Sequence, residues 1–213
     1  MDTLVDNDVL FKAACYGFLR ELIATVTLVE RVGVLGAAWF VISKKITKIG
    51  LKKNGEDVLR ELRDFLDEVE TVEPTEAEQS MAAEFELAAQ RLAVSLDPGE
   101  SQLCAVLICR TMRLLITGDK RAIVAIDRLI QVDQRLAYLS GQVWCIEQLV
   151  LIMLSDGKVA SVRKAICDES SVDITLAICF SCASGKANEG EVRAGLESYI
   201  KDLRSKAPKV LAA

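Results

Sequence analysis

The chain has 213 residues, 51% of them hydrophobic and 27% charged, with a net charge of −5. This composition excludes a disordered or collagen-like chain, and the length suits one domain that buries about 70% of the surface its unfolded chain exposes. There is no histidine, which excludes Ser-His-Asp and Cys-His triads, histidine-held zinc or haem, and imidazole proton shuttles.

In chain order, Thr3–Val5 is a short apolar start that runs into Asp6-Asn7-Asp8. Residues 9–32 have helical spacing, as one helix or as two that break near Gly17. Residues 37–42 (AAWFVI) read as a buried strand, with Trp39 in the core. A basic stretch follows, with Lys44, Lys45, Lys48, Lys52 and Lys53. Residues 55–70 form an amphipathic helix with one acidic face. Residues 71–73 are a short extended piece before Pro74, and 75–93 a helix opened by a capping-box pattern.

Asp97-Pro98-Gly99-Glu100 precedes an apolar helix over 101–110. A strand over 113–117 ends at Gly118-Asp119, and a helix covers 120–130. A strand over 142–146, with Trp144 in the core, has Glu147 at its exit and a helix over 148–154 behind it. Residues 158–168, 173–182 and 189–205 are helical. Short, almost wholly apolar strands alternating with helices predict an α/β fold: three layers, α/β/α, around a mainly parallel sheet.

Seven cysteines lie mostly in apolar runs. They read as buried free thiols in a reducing cytosol, and Cys179-Phe-Ser-Cys182 as core rather than as a zinc or redox pair. The acidic start lacks the basic region of a secretory leader. No stretch reaches the length of a membrane span; residues 141–154 come nearest.

Three strands end in an acid: Asp6, Asp119 and Glu147. Ligands of parallel α/β sheets bind at the carboxyl ends of the strands, where distant acids converge. With Glu100 at a helix mouth, such acids suit a hard divalent cation and phosphodiester chemistry. Helix capping explains each of them equally well: Asp6 and Asp8 before the first helix, Asp97 with Glu100, Asp119 before the helix at 120. Glu147 at a helix start favours the dipole.

Leu4-Val5-Asp6-Asn7-Asp8-Val9-Leu10, Asp97-Pro98-Gly99-Glu100-Ser101-Gln102-Leu103 and Leu114-Leu115-Ile116-Thr117-Gly118-Asp119-Lys120 resemble, in this order, the motifs of PIN-domain nucleases. The resemblance implies a ribonuclease site for Mg²⁺ or Mn²⁺. Asp6, Glu100 and Asp119 would be the catalytic, metal-binding carboxylates, with Asp8 and Thr117 beside them on the substrate side. It departs where the family places a second acid after its second strand: Lys48 falls in that slot. Either the site has lost a ligand, or Glu147 supplies the missing oxygen. Lys44, Lys45 and Lys48 either guide a phosphate backbone or form a solvated helix face over Ile46, Ile49 and Leu51.

The expectation is a PIN-like domain over 1–154, with a helical insertion at about 43–95, and a helical extension over 155–213 packed on it. The expected function is a cytoplasmic, metal-dependent ribonuclease with RNA as partner. An antitoxin-like or scaffold protein and a second copy of the chain are further partners, and a membrane is not. The alternative is a degenerate PIN-like binding or scaffold module without turnover. A Rossmann-type nucleotide binder ranks low, because no GxGxxG turn follows the first strand.

Overall fold

Five short strands organise the chain, and in all but the third nearly every residue is buried. They are β1 (Thr3–Val5), β2 (Val32–Leu35), β3 (Glu70–Val72), β4 (Leu114–Thr117) and β5 (Val143–Cys145). The computed structural model describes residues 2–26, 31–154 and 158–213, and their side chains except those of 22, 23 and 26. The strands form one sheet in the order β3-β2-β1-β4-β5, every pair parallel. In the central pair Thr3, Leu4 and Val5 lie beside Leu114, Leu115 and Ile116. The segment after the last helix follows the outer edge of β5, with Leu211 bridging Val143 in parallel.

Successive residues of a strand point to opposite faces, and the core divides accordingly. Val5, Val34 and Ile116 enter one apolar cluster with α1 (Asn7–Tyr16), α3 (Ala38–Ile46), α4 (Gly55–Leu66) and α8 (Ile146–Met153). Leu4, Leu35 and Leu115 enter a second cluster with α5 (Glu76–Arg91), α6 (Pro98–Cys109) and α7 (Lys120–Leu129). The result is an α/β fold of three layers. The chain also forms α2 (Leu19–Val26), a 3-10 helix (Gln134–Leu139), α9 (Val159–Asp168), α10 (Ile174–Cys179) and α11 (Glu189–Lys206).

The break at Gly17 has a local cause. Its φ of 76° is left-handed, and its N–H closes α1 on Ala13 and Ala14. α5 opens with a reciprocal capping box: Glu78 N–H donates to Thr75 Oγ1, and Thr75 N–H to Glu78 Oε2.

The stretch at 37–42 is a correction. It is helix, not strand. Ala38, Ile42 and Ile46, four residues apart, are buried, while Phe40 and Val41 point to solvent. The second strand is instead Val32–Leu35, at the end of what reads as helix, because it lies against β1 (Thr3 beside Val32). A short apolar run carries both periods, and the neighbouring strand decides between them. Trp39 is accordingly a half-buried helix residue under the Arg63 guanidinium, and Trp144 is half-buried in β5. The stretch at 43–95 is not purely helical either, since it contains β3, the outer strand of the sheet.

The cysteine expectation also changes. Cys167 and Cys182 form a disulfide, so Cys182 pairs with α9 and not with Cys179. Cys15, Cys104, Cys145 and Cys179 are buried free thiols, and Cys109 is an exposed one. The disulfide removes the argument from thiols to a reducing compartment. Among the described residues, no helix is long and apolar enough to cross a membrane.

The segments past 158 pack on the same body. The buried Glu169 carboxylate accepts from the backbone N–H groups of Lys52 and Lys53, at 3.0 and 2.7 Å. Asp127 on α7 accepts from Lys209 and Val210 N–H.

Candidate functional site

The strand order reverses between β1 and β4: the chain runs outward from β1 to β3, then returns to β4 beside β1. Outside the carboxyl ends of strands at such a switch point lies the crevice of open α/β sheets. Asp6 follows β1 directly, and Thr117 ends β4. Asp6 N–H donates to Ile116 O at 2.9 Å, extending the ladder into the crevice.

Asp6 stands at the first position before α1, yet its side chain does not cap that helix. Its Oδ2 accepts from Thr117 Oγ1 at 3.0 Å, and Thr117 Oγ1 accepts from Asp119 N–H at 3.1 Å. One hydroxyl thus ties the two strand-end acids together. Burial, with Asp8 close by, pushes the Asp6 carboxyl up to about 6.

Glu100 reaches the crevice from the first turn of α6. It is buried, and its Oε2 accepts from Asp97 N–H at 2.8 Å. Burial pushes its carboxyl up to about 8, and the charges of Asp6, Asp119 and Asp97 add to the effect. Capping and convergence are therefore not alternatives at this residue. Among the described residues, no cation is paired with Asp6 or Glu100. Asp119 differs: it caps α7, its Oδ1 accepting from Arg121 N–H, and its Oδ2 lies 2.6 Å from the Arg121 guanidinium. Burial opposes its charge, but Arg121 prevails and lowers its pKa.

Asp8 belongs to a different network. Its carboxylate meets Lys12 Nζ at 2.6 Å and Lys45 Nζ at 2.8 Å, and Lys12 also meets Asp173 at 2.7 Å. Lys12 is almost fully buried. Burial works against its charge, and Asp8 and Asp173 outweigh that and raise its pKa. Lys45 lies 4.1 Å over the Phe11 ring and remains half-exposed. Gly118 leaves room for this cluster: a Cβ there would stand 2.3 Å from Asp8 Oδ2.

Of the basic stretch 44–53, the lysine that reaches Asp8 is thus Lys45, on α3. Lys48, assigned that place by sequence, is exposed in the turn beyond the helix, and Lys44 is exposed on α3. Ile46 is buried, with Ile49 and Leu51 packed against the same cluster. Lys53 Nζ is engaged by Tyr16 O at 2.7 Å. Glu147 is held by a lysine of α7. It is 1% exposed, its Oε1 lies 2.6 Å from Lys120 Nζ, and its Oε2 has no hydrogen-bond partner among the described residues.

Lys12, Asp173 and Arg121 were not legible as site residues. Lys12 carried a signal, being a lysine inside an apolar run four residues after an Asp. Asp173 carried none, because nothing local joins it to residue 12.

The donors fit a hard divalent cation in kind: carboxylate oxygens, two of them buried and, among the described residues, in no ion pair. They are not gathered around one point, since among the described residues no three His, Cys, Asp or Glu side chains are placed to hold a metal ion together. No family model matches the chain, and no curated protein and no solved structure does.

Proposed function

We propose that the chain is a PIN-like, metal-dependent nuclease that hydrolyses phosphodiester bonds in RNA. One observation carries the reading. Asp6 and Glu100 are buried at the switch point of a parallel sheet and repel each other, Glu100 also senses Asp119, and among the described residues neither forms an ion pair with a cation.

Asp6, Glu100 and Asp119 are the carboxylates that would hold Mg²⁺ or Mn²⁺ on this reading, and they would have to close on the ion, because they do not converge on one point without it. When bound, the ion supplies an activated water and offsets charge on the phosphate. Thr117 orients Asp6 through its hydroxyl. Arg121 keeps Asp119 ionised. The half-exposed Lys45 ammonium, paired with Asp8, would turn to a phosphate oxygen that approaches it.

A second reading, a PIN-like binding or scaffold module without turnover, is favoured by two features. Asp8 is saturated by two lysines, and three ligating acids are not assembled.

Calorimetric titration with Mn²⁺ at pH 7, in two buffers of different ionisation enthalpy, separates the two. Glu100 is largely protonated at that pH without metal, so the nuclease reading expects proton release on binding. It also expects cleavage of a labelled RNA that Asp6→Asn abolishes. Absence of Mn²⁺ binding, or cleavage unchanged in Asp6→Asn, removes the reading.

A further inference from the structure

α7 and α11 enclose an open groove of about 390 Å³ that no step above uses. α7 contributes Arg121, Val124 and Arg128 to it, and α11 contributes Tyr199, Asp202 and Lys206. The spacings follow one face of each helix. Arg121 and Arg128 are seven residues apart, roughly 10 Å along the axis.

Arg121, which holds Asp119 at 2.6 Å, is also one of the groove's lining residues, so the groove adjoins that acid. Its lining combines apolar side chains (Val94, Val124, Leu203) with four cations (Lys120, Arg121, Arg128, Lys206) against one acid, Asp202, on a chain whose net charge is −5. Asp202 is offset by Lys206 at 2.6 Å, and Arg128 is exposed with no ion-pair partner among the described residues. Tyr199 is half-buried, and its ring lies 5.2 Å from Lys120 Nζ, which fixes the ring from one side. An apolar lining with an aromatic ring receives a flat base, and its cations receive the phosphates that link bases.

We infer that the α7–α11 groove binds single-stranded nucleic acid as it leaves the acidic crevice, with a base on Tyr199 and a phosphate on Arg128. This rests on the phosphodiester reading and names the path of its substrate.

The test is binding of a short fluorescein-labelled oligouridylate to the full chain by fluorescence anisotropy, in EDTA so that cleavage plays no part. Tyr199→Ala and Arg128→Glu are each expected to weaken binding at least about tenfold, the scale of one lost stacking contact. Arg128→Glu is also expected to flatten the salt dependence by about 0.7 per lost phosphate. Tyr199→Phe and the distant Arg60→Glu on α4 should bind as wild type. Photocrosslinking of a 4-thiouridine oligonucleotide to the unmodified protein should mark the peptide that contains Tyr199, a readout that survives if a variant misfolds. No binding by wild type, equal loss in Arg60→Glu, or a crosslink elsewhere overturns the inference. Groove-dependent binding without cleavage in Mn²⁺ overturns the nuclease reading alone. Asp6-dependent cleavage with no groove dependence overturns the groove alone.

Discussion

Thr117 donates its hydroxyl hydrogen to Asp6 across 111 positions of sequence, at 3.0 Å, in a fully buried contact. The bond favours the ionised form of Asp6 against the burial that opposes it. Removing it leaves a buried carboxylate with one donor fewer. Thr117→Val keeps the shape of the side chain, and is expected to cost about 1–2 kcal/mol at pH 7. It should also raise the Asp6 pKa above about 6. Urea denaturation and a carboxyl-carbon NMR titration check the two effects.

Glu100 predicts a pH dependence. Its folded-state pKa, about 8, lies above the ordinary 4.5, so the folded chain holds this proton more tightly than the unfolded chain. The stabilisation is complete below pH 4.5 and is lost as pH rises through 8. Asp6 adds to the same trend between 3.8 and about 6. In EDTA, Glu100→Gln is expected to flatten the decline between pH 5 and pH 8, and to stabilise the protein at pH 8 by ~3 kcal/mol. Urea melts at several pH values measure this. An unchanged slope in the variant would show that another group titrates.

The disulfide Cys167–Cys182 closes a loop with a sequence separation of 15. That loop carries Glu169, which holds the Lys52–Lys53 backbone, and Asp173, which holds Lys12. Cross-linking a loop of this length stabilises by about 3 kcal/mol. Dithiothreitol and Cys167→Ser are each expected to lower stability by that amount, and the two effects should not add. Identical denaturation midpoints with and without reductant would count against the pairing.

Glu78 and Arg110 fasten α5 to α6. The guanidinium donates to both carboxylate oxygens, at 2.7 and 2.8 Å, and holds the Glu78 carboxyl down at about 2. A depressed acid stabilises above its ordinary pKa and loses that contribution as pH falls from 4.5 towards 2. Arg110→Ala is expected to cost about 2 kcal/mol at pH 7, less than for a fully buried pair because the Arg110 side chain is 32% exposed. The difference from wild type should vanish below pH 2, which acid titration followed by circular dichroism reads.

Much of the architecture was legible because it is written in local periods. The helix over 55–70 shows its buried Val58, Leu62 and Phe65 at helical spacing, and α4 covers 55–66 of it, while Glu70 already belongs to β3. The strands at 113–117 and 142–146, and the acids that follow them, were placed within a residue or two. The failure at 37–42 has the same origin, since Val32–Leu35 and 37–42 are both short apolar runs and only pairing with β1 selects one as strand. The acids were legible as types and positions. Their states were not.

The sequence alone determined the alternation of strands and helices, the absence of imidazole chemistry and the placing of acids at strand ends. Each depends on residue identity and spacing along the chain. Only the tertiary structure decided which acids form no ion pair, which lysine of the basic stretch meets Asp8 and which thiols are joined. Asp6 meets Thr117, Lys12 meets Asp173 and Lys120 meets Glu147 across long stretches of chain. The charge a carboxylate keeps depends on its burial and its neighbours, and folding alone brings those neighbours together.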